Sequence, residues 1–255
     1  MQPVSCHTLT WRGDLPRALR DLSALGFRTF EGNYLPDWFA RPADLHGLVT
    51  RLSVRPVGLY LGGSHISERD RGPEMRLAEE GCAFLQRSGA SHIVVGGGHV
   101  RYEGPMPEDY ANLAESLQLM GLVAQDHGLV LCYHPHVGTL VETPEDIKRI
   151  ADLTDPSLVS FCFDVAHLAA AGGDPVALCA QYWERLAYVH LKDLSRSGSF
   201  VELGHGSVNL KGVVGLLVER TFGGPIVLEL DSSPDPYGSA ERNRDYAVGE
   251  LGLWL

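Results

Sequence analysis

Eight short runs rich in apolar, β-branched and aromatic residues recur along the chain, at positions 3–9, 27–31, 54–62, 92–97, 129–134, 159–164, 186–191 and 225–230. Most are continuously apolar, the pattern of strands covered on both faces. Between and after them, apolar positions fall at helical spacing over 15–25, 45–52, 74–86, 110–127, 144–153, 175–185, 210–220 and 240–253. Helix ends are marked too. Thr143-Pro144-Glu145-Asp146 supplies a capping hydroxyl, a first-turn proline and early acids, and Gly26 and Gly128 stand where helices must stop. Eight strands, each followed by a helix, predict an α/β fold of one domain spanning 1–255, a single (β/α)8 TIM barrel. An open doubly wound sheet is the rival, and eight β–α units fit closure better.

The 255 residues are 44% hydrophobic, enough to bury a substantial core, and the net charge is −11. That charge offers no basic face to a phosphate backbone, so nucleic acid is not an expected partner. The five cysteines are odd in number, scattered and without a CxxC pair, as in a reducing compartment rather than a disulfide framework. No N-terminal signal pattern and no apolar run of membrane-span length is present, so no membrane partner and a cytoplasmic location are expected.

Barrel chemistry sits at the C-terminal strand ends. There the chain places Trp11, Glu31, His65, His99, His134-Pro135-His136, Asp164, His190 and Glu229, nearly all able to bind a metal or move a proton. An Asp after a strand, as at Asp164, is often only a helix cap, and Glu142 before a helix is commonly solvated. His190 and Lys192 share one face by alternation, and an inward His and Lys are costly without partners. Glu229 lies between Leu228 and Leu230 and needs a cation for the same reason. Glu, Asp and His together form an oxygen-rich set suited to one divalent ion, Mn²⁺, Mg²⁺ or Co²⁺, with Zn²⁺ also accommodated. His46 and His127 fall on helices as surface residues, His7 reads as a core histidine, and His205 lies in a glycine-rich loop over the site. Gly96-Gly97-Gly98-His99 lacks dinucleotide spacing, and no phosphate loop, nucleophile elbow or HExxH helix occurs.

The stretches FRTFEGN, YHPHVGTLVET, CFDVAHLAAAGGDP, LAYVHLKDL, ELGHGSVN and IVLELD resemble the xylose isomerase-like barrel superfamily of sugar isomerases, epimerases and dehydratases. Within it, HPHxGT with VHLKD and ELGxG is most similar to inosose dehydratases and related polyol-processing enzymes. The resemblance implies a metal held at the ends of strands five to eight, with Asp164, His190 and Glu229 matching by position. The fifth-strand ligand departs from the pattern: either His134 binds the ion, or Glu142 reaches back to supply the carboxylate, and Glu142 is the expected ligand because oxygen keeps the charge balance. The resemblance further implies His167 and Arg196 as sugar contacts, and His136 and Lys192 as catalytic groups beside the carboxylates Glu142 and Glu229. Trp11, Glu31, His134 and His205 complete the expected substrate-binding set. The second acid of epimerases is not matched, since Lys148 or Leu140 holds its position.

The expected activity is that of a metal-dependent lyase on a polyhydroxy ketone, inosose-like or a ketose. A proton next to the carbonyl leaves through a metal-stabilised enediolate, and a β-hydroxyl is then lost. Isomerisation or epimerisation on the same site is the alternative, and an endonuclease IV-like nuclease or a non-catalytic binding barrel is a more distant one. The partner is a small sugar or polyol, and the resemblance allows a homodimer or tetramer.

Overall fold

Parallel pairing closes eight strands into a barrel whose neighbours run β1, β2, β3, β4, β5, β6, β7, β10 and back to β1 in the computed structural model, which describes residues 3–35, 41–102 and 104–255. These are β1 (Ser5–His7), β2 (Thr29–Asn33), β3 (Arg55–Gly63), β4 (His92–Gly97), β5 (Val130–His134), β6 (Ser160–Asp164), β7 (Leu186–Leu191) and β10 (Ile226–Leu228). All eight expected strands are present. Closure is made by β10, which pairs with both β1 and β7 and so leaves no open edge. Around it lie α1 (Leu15–Ala24), α2 (Pro42–Leu52), α3 (Glu68–Ser88), α4 (Pro107–Asp126), α5 (Pro144–Leu153), α6 (Val165–Ala170), α7 (Pro175–Gln181), α8 (Leu210–Glu219) and α9 (Pro236–Gly249). No described helix is long and apolar enough to cross a membrane.

Helix ends follow local chemistry. Thr143 and Asp146 cap α5 reciprocally, each side chain accepting the other's backbone N–H. Asp235 caps α9 through Gly238 N, with Pro236 in the first turn, which starts that helix four residues before the apolar spacing does. The helix expected over 74–86 starts six residues earlier: α3 begins at Glu68 and carries Pro73 within its first turns. Two elements escape periodicity because they are too short to have one. They are α6, capped by Asp164, and the antiparallel hairpin β8 (Asp193–Leu194) and β9 (Phe200–Val201).

The barrel interior is plugged by Val57, Val94, Cys132, Cys162, Tyr188 and Val227, a layer separate from the apolar shell between strands and helices. Tyr188 takes the largest share, and Gly58 makes room for it: a Cβ there would sit 2.7 Å from the phenol oxygen. His92, at the start of β4, stacks edge-on against Tyr188 with ring centroids 5.6 Å apart, and Ser91 Oγ bonds its Nδ1. Burial pushes the His92 imidazole down to about 4, against a slight upward pull from Glu31.

This base is therefore easier to protonate in the unfolded chain. Its neutral burial adds stability above about pH 6.5, and that contribution is lost as the pH falls towards 4. The loss amounts to about 3 kcal/mol. Urea unfolding at pH 7 and pH 4.5 should show a smaller acid-side loss for His92→Leu than for the wild type, and equal losses would refute the assignment.

Candidate functional site

Residues two apart on a strand share a face, so the layer above the plug is fixed by the layer below. Two residues beyond Val94, Cys132, Cys162, Tyr188 and Val227 stand Gly96, His134, Asp164, His190 and Glu229. Two further on, at the rim, stand Lys192 and Asp231. Glu31 of β2 joins this layer, and Asp164, His190 and Glu31 are all at least 99% buried. Gly96 leaves its place in the layer to the Tyr60 ring, whose oxygen would lie 2.0 Å from a Cβ at that glycine.

His190 is the hub. Its Nε2 lies 2.7 Å from Glu31 Oε2, and its Nδ1 lies 2.7 Å from Glu229 Oε2 without hydrogen-bond alignment. One ligand atom each of Asp164, His190 and Glu229 falls within 4.8 Å of the other two. Lys192 Nζ donates to Glu229 Oε1 at 3.1 Å and to Asp231 Oδ1, and stands 3.7 Å from Asp164 Oδ2. It also meets His167 Nε2 at 3.2 Å and lies 4.3 Å above the Phe200 ring of the hairpin. His136 closes this side, its ring centroid 3.7 Å from that of His167 and its Nδ1 2.6 Å from the Val137 carbonyl.

Burial and charge set the protonation states. Burial opposes the Lys192 ammonium, but Glu229, Asp164 and Asp231 outweigh it and raise its pKa. Burial likewise opposes the Glu229 carboxylate, and Lys192 with His190 carries it well below the usual range. Burial, then the neighbouring Lys192 and His136, push His167 down to about 2, so it is neutral and its Nε2 accepts from Lys192. His134, buried beside His190, is held well below the ordinary imidazole value. Tyr60 is raised to about 12, chiefly by burial, and stays an O–H donor. Beside these groups opens a cavity of about 350 Å³, lined by His7, Asn33, Tyr34, Tyr60, His134, His136, Glu229 and Asp231 among others. That volume suits a small molecule.

The donor set fits a divalent cation. Glu31 Oε1 and Asp164 Oδ2 are buried carboxylate oxygens that accept no hydrogen bond, which is costly unless something cationic faces them. Two carboxylates and an imidazole converging within 4.8 Å form a hard-to-borderline set.

The expected residues divide in two. Glu31, His134, His136, Asp164, His167, His190, Lys192 and Glu229 come together at this mouth. Glu142 is not brought into the group: its Oε2 accepts Gly138 N at 2.6 Å, bracing the turn after β5, while the strand itself ends in His134. Trp11 is buried in the shell and donates Nε1–H to Asp21 at 2.8 Å, and it does not line the cavity. Arg196 and His205 are exposed, on the hairpin turn and on the loop that Asp193 ties down through Gly204, Gly206 and Val208 N–H groups. His65 and His99 lie apart: His65 is bonded to Glu74 and the Gly96 carbonyl, and His99 lines a separate cavity. His7 is a buried histidine as expected, with Nδ1 accepting Leu9 N, yet it also faces Glu31 and lines the main cavity. Asp231 was missed. The alternation that put Lys192 beside His190 puts Asp231 beside Glu229.

The xylose isomerase-like TIM barrel family matches residues 19–249. The inosose dehydratase of Clostridium beijerinckii is 31% identical over 203 residues, 67% of this chain and 68% of that one; the match to the inosose dehydratase of Bacillus cereus strain AH820 spans 56% of that protein. Two solved structures share the fold. The IolI protein with a binding zinc atom has a TM-score of 0.84 at 16% identity over 98% of each chain. L-ribulose 3-epimerase has a TM-score of 0.83 at 17% identity, over 99% of this chain and 95% of that one. On this sequence match and this fold, the chain belongs to the xylose isomerase-like TIM barrel family, as an enzyme of that family.

Proposed function

We propose that the chain is a divalent-cation-dependent dehydratase of an uncharged polyhydroxy ketone of the inosose type, with Asp164, His190 and Glu229 as the cation's ligands. The observation that carries this reading is Lys192: a buried ammonium held by Glu229 and Asp231 at the edge of a small-molecule cavity, next to a convergent carboxylate–imidazole group. The naming of the 31% identical relative as an inosose dehydratase supports the substrate class. Glu142 remains a candidate fifth-strand ligand if the turn at Gly138 releases it.

A cation bound there supplies Lewis-acid polarisation of the substrate carbonyl. The chain's own groups handle the proton. With His136 Nδ1 2.6 Å from the Val137 carbonyl, the hydrogen of a neutral ring sits on that nitrogen, leaving Nε2 as the acceptor. Nε2 takes the proton next to the carbonyl, and the resulting imidazolium returns it to the departing β-hydroxyl, which leaves as water. Lys192 keeps its proton throughout and, releasing Asp231 at the rim, donates that hydrogen bond to the oxygen on which charge builds. His167, neutral and bonded to Nζ, fixes the direction of that donation, and Phe200 covers it from solvent. Tyr60, Asn33 and His7 face the remaining hydroxyls across the cavity. Returning the proton to carbon instead would make the same site an isomerase or epimerase.

Inosose, ketohexoses, hydroxypyruvate and dehydroshikimate incubated with the protein and Mn²⁺ should give a rise in ultraviolet absorbance with inosose alone; epimeric products without dehydration would replace the lyase reading. Lys192→Gln should lower kcat by about 10²- to 10³-fold with little change in KM, whereas Asp231→Asn should cost about tenfold; a raised KM at unchanged kcat would make both residues mere binding groups. Glu229→Gln should abolish turnover and release the cation on dialysis, measured by atomic emission, and a fully active variant would show that the ligand set is misplaced.

A further inference from the structure

The cation group is not the only one His190 belongs to. A ring nitrogen of His134, the thiol of Cys162 and a ring nitrogen of His190 also lie within 4.8 Å of one another, and all three residues are buried. Cys162 belongs to the plug, whereas His134 and His190 belong with Asp164 to the layer above it, so this second group lies between the two layers, on the plug side of the carboxylates. The second, independent sign of a ligand is His134: its Nδ1 is buried and without a hydrogen-bond partner, while its ring stands 5.0 Å from that of His190. Two imidazoles and a thiol form a donor set of different character from the carboxylates above, soft where those are hard.

We propose that the floor of the site is a second, soft metal position, in which Zn²⁺ or Cd²⁺ is held by His134, Cys162 and His190. Tetrahedral zinc, with Zn–S about 2.3 Å and Zn–N about 2.0 Å, needs its donors about 3.5 Å apart. Donors already within 4.8 Å reach that by side-chain shifts of a few tenths of an ångström to an ångström each. On binding, the thiol loses its proton to solvent and the thiolate takes the ion. The ion reaches the position through the main cavity, which His134 lines. Because His190 is common to both groups, an ion in the lower position withdraws that imidazole from Asp164 and Glu229. Oxygen-seeking Mn²⁺ or Mg²⁺ then occupies the upper position, and a thiolate-seeking ion competes from below. This inference shares with the proposed function only the reading of His190 as a ligand, and it does not depend on the reaction.

The test is spectroscopic. Cobalt(II) added to chelator-treated protein should produce a thiolate-to-metal charge-transfer band in the near ultraviolet. Cys162→Ser should lose the band, and Cys132→Ser, whose thiol is in the plug but outside the group, should keep it. Cobalt bound with ligand-field absorption alone would overturn the soft position and leave the upper one standing; a band that survives in Cys162→Ser would overturn it as well. Protein that takes up no cobalt by dialysis would overturn both positions, which separates the failure of this inference from that of the function. Should Cys162→Ser fail to fold by circular dichroism, His134→Gln keeps the thiol and should weaken Cd²⁺ retention by about tenfold or more; unchanged retention would refute the assignment.

Discussion

Buried negative charge is the constraint on which this site depends. Glu31, Asp164 and Glu229 are all at least 93% buried, and Asp231 adds a fourth carboxylate at the rim. Facing them are one ammonium, Lys192, and one imidazole, His190, whose pKa burial lowers but Cys162, Glu31 and Glu229 together raise well above its ordinary value. Carboxylates removed from water are tolerated only when cations and hydrogen bonds replace the hydration they lose. Lys192 meets that need on one side for Glu229, Asp231 and, at longer range, Asp164. Even so, Glu31 Oε1 and Asp164 Oδ2 accept no hydrogen bond, with His7 Nε2 and Lys192 Nζ standing 3.9 and 3.7 Å away. The imbalance has a direction, and it points towards a bound cation.

The barrel makes this imbalance possible because closure separates two jobs that an open sheet would mix. The plug of Val57, Val94, Cys132, Cys162, Tyr188 and Val227 seals the interior from below. The polar layer can then be dry without being surrounded by protein on every side. Gly58 and Gly96 are the concessions that seal requires, each giving up a side chain so that Tyr188 or Tyr60 can lie across the bore. From above, the hairpin β8–β9 places Phe200 on Lys192 and His167, and Asp193 anchors the loop behind it through three backbone N–H groups. Strand ends thus carry the chemistry, while short irregular segments control its exposure.

What the sequence makes legible follows from this division. Regular elements announce themselves: all eight strands and a helix after each are found near the continuous apolar runs and helical spacing, though α3 and α9 start six and four residues earlier, and α5 begins at the Thr143-Pro144-Glu145-Asp146 signal. The inward face is legible as well, since alternation along a strand is rigid; it joins Asp164, His190, Lys192 and Glu229 from three strands. Loop residues are not legible, because nothing periodic fixes where a loop side chain turns. Glu142, one position before its helix cap, prefers the Gly138 N–H, Trp11 finds Asp21, and Arg196 stays in solvent at a hairpin that no pattern announced. Asp231 is the exception: the same alternation places it beside Glu229, but it lies just beyond the apolar run that marks the strand.

The same periodicity explains why a hard and a soft donor set share one imidazole. Each barrel strand contributes to successive layers every second residue, so Cys162 and Asp164 necessarily stack on β6, as Tyr188 and His190 do on β7. A sequence that places a thiol in the plug under a carboxylate of the polar layer cannot keep the two apart, because the strand fixes their separation at two residues. Selectivity for the ion must then come from what lies between the layers. Here that is His190, oriented by Glu31 on one nitrogen and facing Glu229 with the other. Glu31 therefore does more than balance charge: by engaging Nε2 it fixes the ring with Nδ1 2.7 Å from Glu229 Oε2.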